Sequence, residues 1–183
     1  MMVTTHAAVG VALGAVLLQV RPEFAVMAAV AGFLGGLFPD LDFLFEHRKT
    51  LHFPVYYWVA AVPVAVLAIV FPSDQTIAVL FFVVSAGIHS MMDVFGGPRE
   101  FRPWEHTSNQ AVYLHYRQRW LAPRRGIRYD GAPEDLLVAT ATSVPGLLLF
   151  EGQFRSLILV GLVVSGLYTL FRKQIPEFTH GRE

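Results

Sequence analysis

Cysteine is missing from all 183 residues, which excludes disulfides and leaves only nitrogen and oxygen donors for any metal. Charge is scarce as well: Asp, Glu, Lys and Arg make up 15% of the chain against 54% hydrophobic residues, and the mean hydropathy is +0.49. That balance is too apolar for an ordinary soluble domain and marks an integral membrane protein. No Lys or Arg precedes the first apolar run in Met1-Met2-Val3-Thr4-Thr5-His6, so the basic n-region of a cleaved signal peptide is lacking and the first run is expected to stay as a helix. Internal repeats and low-complexity tracts are also missing.

What is present is a series of apolar runs bounded by charges or Pro, near 3–20, 24–38, 54–71, 76–95, 136–150 and 156–171. A chain of this length has room for about six spans at roughly 20 residues each. The expected fold is therefore all-α: a polytopic membrane bundle of about six transmembrane helices forming one domain, 1–183, with an interfacial Arg-rich loop between helices four and five. Within it, 1–98 is expected to carry the polar site, 99–135 the loop and 136–172 the last two helices. The second and fifth runs are short for a span, and the fifth holds Pro145-Gly146 with several Thr and Ser. Gly10 and Gly14 in the first run, with Gly32, Gly35 and Gly36 in the second, offer small faces on which two helices can pack as a hairpin.

Orientation follows from the basic residues, which are retained on the cytoplasmic side during insertion. With six spans and the amino terminus inside, the inner loops hold Arg48, Lys49, Arg99, Arg102, Arg117, Arg119, Arg124, Arg125 and Arg128, and the tail holds Arg172, Lys173 and Arg182. Only Arg21 and Arg155 fall outside, twelve against two. Both termini are expected in the cytoplasm, in a chain of the inner or plasma membrane.

On this topology seven ionisable residues gather at the cytoplasmic face: His6, Asp40, Asp42, His47, His52, His89 and Asp93. Such groups are costly in or beside lipid, and imidazole with carboxylate is the donor mixture of metal-dependent hydrolases. His89 and Asp93, four apart on a helix, project from one face. In Pro39-Asp40-Leu41-Asp42 the alternate carboxylates of an extended backbone would point the same way and share or bridge ions. Arg48, with its bidentate guanidinium, is the candidate clamp for an anionic substrate oxygen. His106, His115 and His180 lie in polar segments where a solvated histidine needs no further explanation.

The pattern Thr5-His6, Pro39-Asp40-Leu41-Asp42, His47-Arg48 with Thr50 and His52, then His89 with Asp93 and Gly97 resembles the YdjM-like membrane-bound metal-dependent hydrolases, a LexA-regulated, inner-membrane-associated family, over roughly residues 1–100. Arg102-Pro103-Trp104-Glu105 stands where a Trp-Pro-Phe-like stretch is expected after a shorter link. The resemblance implies metal-dependent hydrolysis and leaves the substrate open. The expected activity is hydrolysis of a phosphoester, a lipid one suiting the depth of the site. One or two divalent ions (Zn, Mn or Fe) would be held by the seven residues, and Asp42, His47 and Arg48 would serve the chemistry. The alternative is a non-enzymatic metal-binding module or a small transporter, against which no ionisable residues descend through helices three, five and six. Membrane lipids are the expected partners. The seven arginines of 99–128, interleaved with Phe101, Trp104, Tyr113, Tyr116 and Trp120, fit a topogenic, interfacial segment that meets anionic head groups. No nucleic-acid-binding motif accompanies them.

Overall fold

The computed structural model describes residues 1–176; His180 and Arg182 lie outside the described residues. Six α-helices follow the six apolar runs: α1 (Val3–Leu17), α2 (Pro22–Leu37), α3 (Tyr56–Val70), α4 (Asp74–Phe95), α5 (Pro133–Leu149) and α6 (Gly152–Phe171). The bundle is all-α in architecture, as expected. Among the described residues, three segments are long and apolar enough to cross a membrane: Pro22–Leu44, which adds a 3-10 turn to α2, then Asp74–Phe95 and Gly152–Phe171. Val3–Leu17 and Tyr56–Val70 are apolar but shorter.

Local chemistry sets the ends. Pro22 occupies the first turn of α2, where its missing N–H costs nothing. Ser73 and Thr76 cap α4 reciprocally: the Thr76 amide donates to Ser73 Oγ at 3.2 Å and the Ser73 amide to Thr76 Oγ1 at 3.0 Å.

The first two helices form the expected hairpin, and glycine makes it possible. A Cβ added at Gly10 would fall 2.0 Å from the carbonyl oxygen of Gly32, and one at Gly14 would fall 2.3 Å from the Ala29 nitrogen. Backbone thus meets backbone. Gly35 and Gly36 serve other neighbours: Gly35 lies against the Phe82 carbonyl of α4 and Gly36 against the His6 carbonyl of α1. Ser85 Oγ then ties α4 to α2 by donating to the Gly32 carbonyl at 2.7 Å. The core is accordingly built of small side chains, with Ala15, Ala25, Ala28, Ala29 and Ala86 fully buried. α1 is central, touching α2, α4, α5 and α6. α3 and α6 are peripheral, and Ser165 is the one buried residue of α6.

The segment between α4 and α5 is more structured than an interfacial loop. It contains a two-residue antiparallel pair, β1 (Tyr113–Leu114) with β2 (Arg119–Trp120), and buries Ala111, Val112 and Leu114. The Tyr113 amide donates to the Arg48 carbonyl at 3.0 Å, so this segment grips the α2–α3 connection. His115 is likewise not simply solvated. It packs among Phe53, Tyr113 and Tyr56, and this burial pushes its imidazole pKa below the usual value. His106 is exposed, as expected.

Gly10→Val is expected to cost about 1–3 kcal/mol through forced separation of α1 and α2. Gly161→Val, at a site with nothing within 4 Å, is the matched control and is expected to lack that cost. Thermal unfolding of both variants in detergent distinguishes the two.

Candidate metal centre

Four stretches of chain converge at one end of the bundle. His6 comes from the first turns of α1, Asp40 and Asp42 from the 3-10 turn Phe38–Leu44, His47, Arg48 and His52 from the link to α3, and His89 and Asp93 from the last turns of α4. All but Asp40 and His47 are buried.

Four of them form a tight group. One ligand atom each from Asp40, His52, His89 and Asp93 lies within 4.8 Å of every other. His52 Nε2 is 3.2 Å from His89 Nε2 and 3.3 Å from Asp93 Oδ2. His89 Nε2 is 3.4 Å from Asp40 Oδ1 and 3.7 Å from Asp93 Oδ2, and His52 Nε2 is 3.9 Å from Asp40 Oδ1. Donors about 2.0–2.2 Å from a tetrahedral ion stand about 3.3–3.6 Å apart, so the group has the dimensions of a four-coordinate site.

The far nitrogens show why the near ones are available to a cation. His89 Nδ1 lies 2.6 Å from the Gly36 carbonyl oxygen, which can only accept, so Nδ1 carries the proton and a neutral His89 presents a lone pair at Nε2. His52 Nδ1 lies 2.8 Å from Asp42 Oδ2 and is fixed in the same tautomer. Two lone pairs therefore face each other at 3.2 Å beside two carboxylates. A proton would satisfy one pair of these donors; a divalent ion satisfies all four. Orientation of each imidazole by a carbonyl or carboxylate behind it is how metal-ligating histidines are commonly held. Asp40 Oδ2 is buried without a hydrogen-bond partner, as is His6 Nδ1.

The remaining candidates sit around this quartet. Asp42 was expected to point the same way as Asp40, as in extended backbone. The segment is instead a 3-10 turn, in which residues two apart diverge by about 240°. Asp42 therefore lies behind His52, where Oδ2 also accepts the Lys49 and Leu51 amides at 3.2 and 3.3 Å, while Oδ1 meets His47 Nδ1 at 2.9 Å. His47 stays half-exposed and outside the quartet. The His6 ring stacks on His89 with centroids 3.6 Å apart, and its Nε2 is 3.1 Å from Asp93 Oδ1. Arg48 is not the free clamp that its loop position implied. It adopts a left-handed backbone (φ 61°), donates from Nη1 to the Gly97 carbonyl at 2.8 Å and places Nε 3.2 Å from Asp93 Oδ2. Gly97 in turn has no room for a side chain, since a Cβ would lie 2.5 Å from the Arg128 carbonyl. Glu105 takes no part, pairing on the surface with Arg102 at 3.3 Å.

Two contributors escaped the sequence reading. The Met1 amine lies 2.7 Å from Asp93 Oδ1, a contact that no pattern of residues announces. Asp135, fully buried in the first turn of α5, accepts from the Met2 amide and Thr5 Oγ1 at 2.7 Å each and so fixes the start of α1 beneath His6. An acid opening an apolar helix was the available signal for it.

Fold and site together define an all-α integral membrane protein with a buried histidine–carboxylate group able to hold a metal ion. The model of the YdjM inner membrane protein family matches residues 1–175, and the chain belongs to that family. The match extends well past the roughly 100 residues whose motifs carry the resemblance. Searches of curated proteins and of solved structures gave no match.

Purified protein is expected to bind close to one divalent ion per chain, and His89→Ala or Asp93→Ala to abolish that binding. Asp42→Asn, which removes the carboxylate behind His52, should weaken affinity about 10- to 100-fold without abolishing it. Metal analysis and competition with a chelator measure both; undiminished metal in His89→Ala and Asp93→Ala overturns the assignment.

Proposed function

We propose that this protein is a metal-dependent hydrolase that cleaves a phosphoester at the cytoplasmic face of the inner membrane. The observation that carries the reading is the pair of facing Nε2 atoms of His52 and His89, 3.2 Å apart and flanked by Asp40 and Asp93. These four residues would hold one ion, with Zn, Mn and Fe all compatible with their nitrogen and oxygen donors. When bound, such an ion lowers the pKa of water toward neutrality and polarises a phosphoryl oxygen.

The chain's own groups supply the rest. His47 lines the cavity beside Asp40, and because its Nδ1 is engaged by Asp42, its Nε2 is the nitrogen free to take a proton from water. Asp42 thus orients both His47 and His52. Arg48 offsets the charge of Asp93 and keeps the mouth of the site favourable to an anion. The cytoplasmic assignment is supported by the twelve-to-two distribution of Lys and Arg. A transport reading lacks comparable support: α3 and α6 carry no Asp, Glu or His, and the acids of α5 stand in its first turn.

Hydrolysis of phosphoesters by detergent-purified protein is expected to be quenched by chelator and restored by divalent metal. His47→Ala should keep its metal yet lose turnover by about 10²- to 10⁴-fold, the usual contribution of a general base. Metal flux into proteoliposomes with no phosphoester, ester or amide cleaved would refute the hydrolase reading.

A further inference from the structure

A cavity of about 590 Å³ opens beside the quartet, within the size range of small-ligand sites. Asp40, His47 and Arg99 are among its polar lining, and Val3, Phe43 and Val164 supply apolar wall. Those three apolar residues come from α1, the 3-10 turn and α6, and are 46%, 68% and 48% exposed. Since the turn and α6 belong to segments apolar enough to cross a membrane, this wall opens toward lipid. The neighbouring Leu41, Leu44 and Phe45 are exposed as well, so the turn that aims Asp40 inward presents an apolar fringe outward.

The cations along the cavity differ in what they already hold. Arg172 is engaged by both oxygens of Asp130, at 2.8 and 3.1 Å, and by the Phe101 carbonyl. Arg48 is engaged by Gly97 and Asp93. Arg99 is held loosely: the Glu46 carboxylate is 3.9 Å away, its guanidinium rests 5.0 Å over the Trp120 ring, and its side chain is 30% exposed. Of the lining acids, Asp130 is neutralised by Arg172, while Glu100 accepts from Thr107 through Oε2 and keeps Oε1 buried without a hydrogen-bond partner. With an ion held by the quartet offsetting Asp40, the available guanidinium and the apolar wall open to lipid are together complementary to an anionic amphiphile.

We propose that this cavity receives a lipid phosphate, its phosphate between the metal quartet and Arg99 and one acyl or alkyl chain leaving past Phe43, Val3 and Val164 into the bilayer. What becomes of the phosphate rests on the hydrolase reading above; binding itself is measurable without turnover. Arg99 then acts as a substrate-binding residue, the role that Arg48 is too constrained to fill.

The test is binding of dodecylphosphonate, whose C–P bond resists hydrolysis, against methylphosphonate, using zinc-supplemented full-length protein in nanodiscs. A dodecyl chain with a trimethylammonium head controls for partition into lipid. Wild type is expected to bind dodecylphosphonate at least about tenfold tighter than methylphosphonate and the cationic amphiphile not at all. Val164→Trp, at a lipid-facing position of the wall, should erase the chain-length preference, with metal content measured alongside as the check on folding. Arg99→Ala should weaken both phosphonates about tenfold or more, with Arg99→Lys in between. Equal binding of the two phosphonates by wild type, or an unchanged preference in Val164→Trp, overturns the chamber even if a soluble phosphoester is hydrolysed. The expected binding pattern without any hydrolysis leaves the chamber standing and removes the hydrolase reading.

Discussion

Two imidazole Nε2 atoms held 3.2 Å apart inside an apolar bundle, each with its Nδ1 engaged from behind, are the constraint around which this protein is organised. Each is held in place from behind, His89 by the Gly36 carbonyl and His52 by Asp42, and neither can turn away without breaking that support. Left uncompensated, the facing lone pairs and the two adjacent carboxylates would repel. Positive charge is therefore part of the design. Arg48 and the Met1 amine supply some of it to Asp93, and the quartet has the spacing to take the rest as a metal ion.

Burial of ionisable groups on this scale is tolerated because they cooperate. Asp93 lies within ion-pair distance of His6, Arg48, His52, His89 and the Met1 amine, and Asp42 accepts from two imidazoles and two backbone amides. A buried charge satisfied at several points is far less costly than an isolated one. The cost falls on side-chain volume elsewhere. The α1–α2–α4 interface that supports the site is made of Gly and Ala, and its strength comes from close backbone approach and the Ser85–Gly32 hydrogen bond.

Much of this was legible in the sequence because membrane burial makes polar residues conspicuous. The six helices followed from hydropathy, the hairpin from Gly10, Gly14 and Gly32, and the joint presentation of His89 and Asp93 from their four-residue spacing. What was not legible depended on local backbone that hydropathy does not report. Asp40 and Asp42 look equivalent in an extended segment, and only the 3-10 turn separates the one that enters the quartet from the one behind it. Arg48 looks free in a loop, and only its left-handed backbone and the Gly97 carbonyl show it to be fixed. The hairpin inside the Arg-rich segment rests on two short strands with no alternation long enough to be read as such.

Gly36 joins packing to coordination through a single residue. Its backbone abuts the His6 carbonyl, so that any side chain would force α1 off α2, and its own carbonyl fixes the tautomer of His89. An ion taken up by the folded arrangement and not by the opened one adds to stability in proportion to the logarithm of its concentration over its dissociation constant. Helix association and ion affinity are then thermodynamically linked quantities. A change anywhere along the α1–α2 seam that loosens the helices will register as weaker ion binding, and depletion of the ion will register as a looser seam.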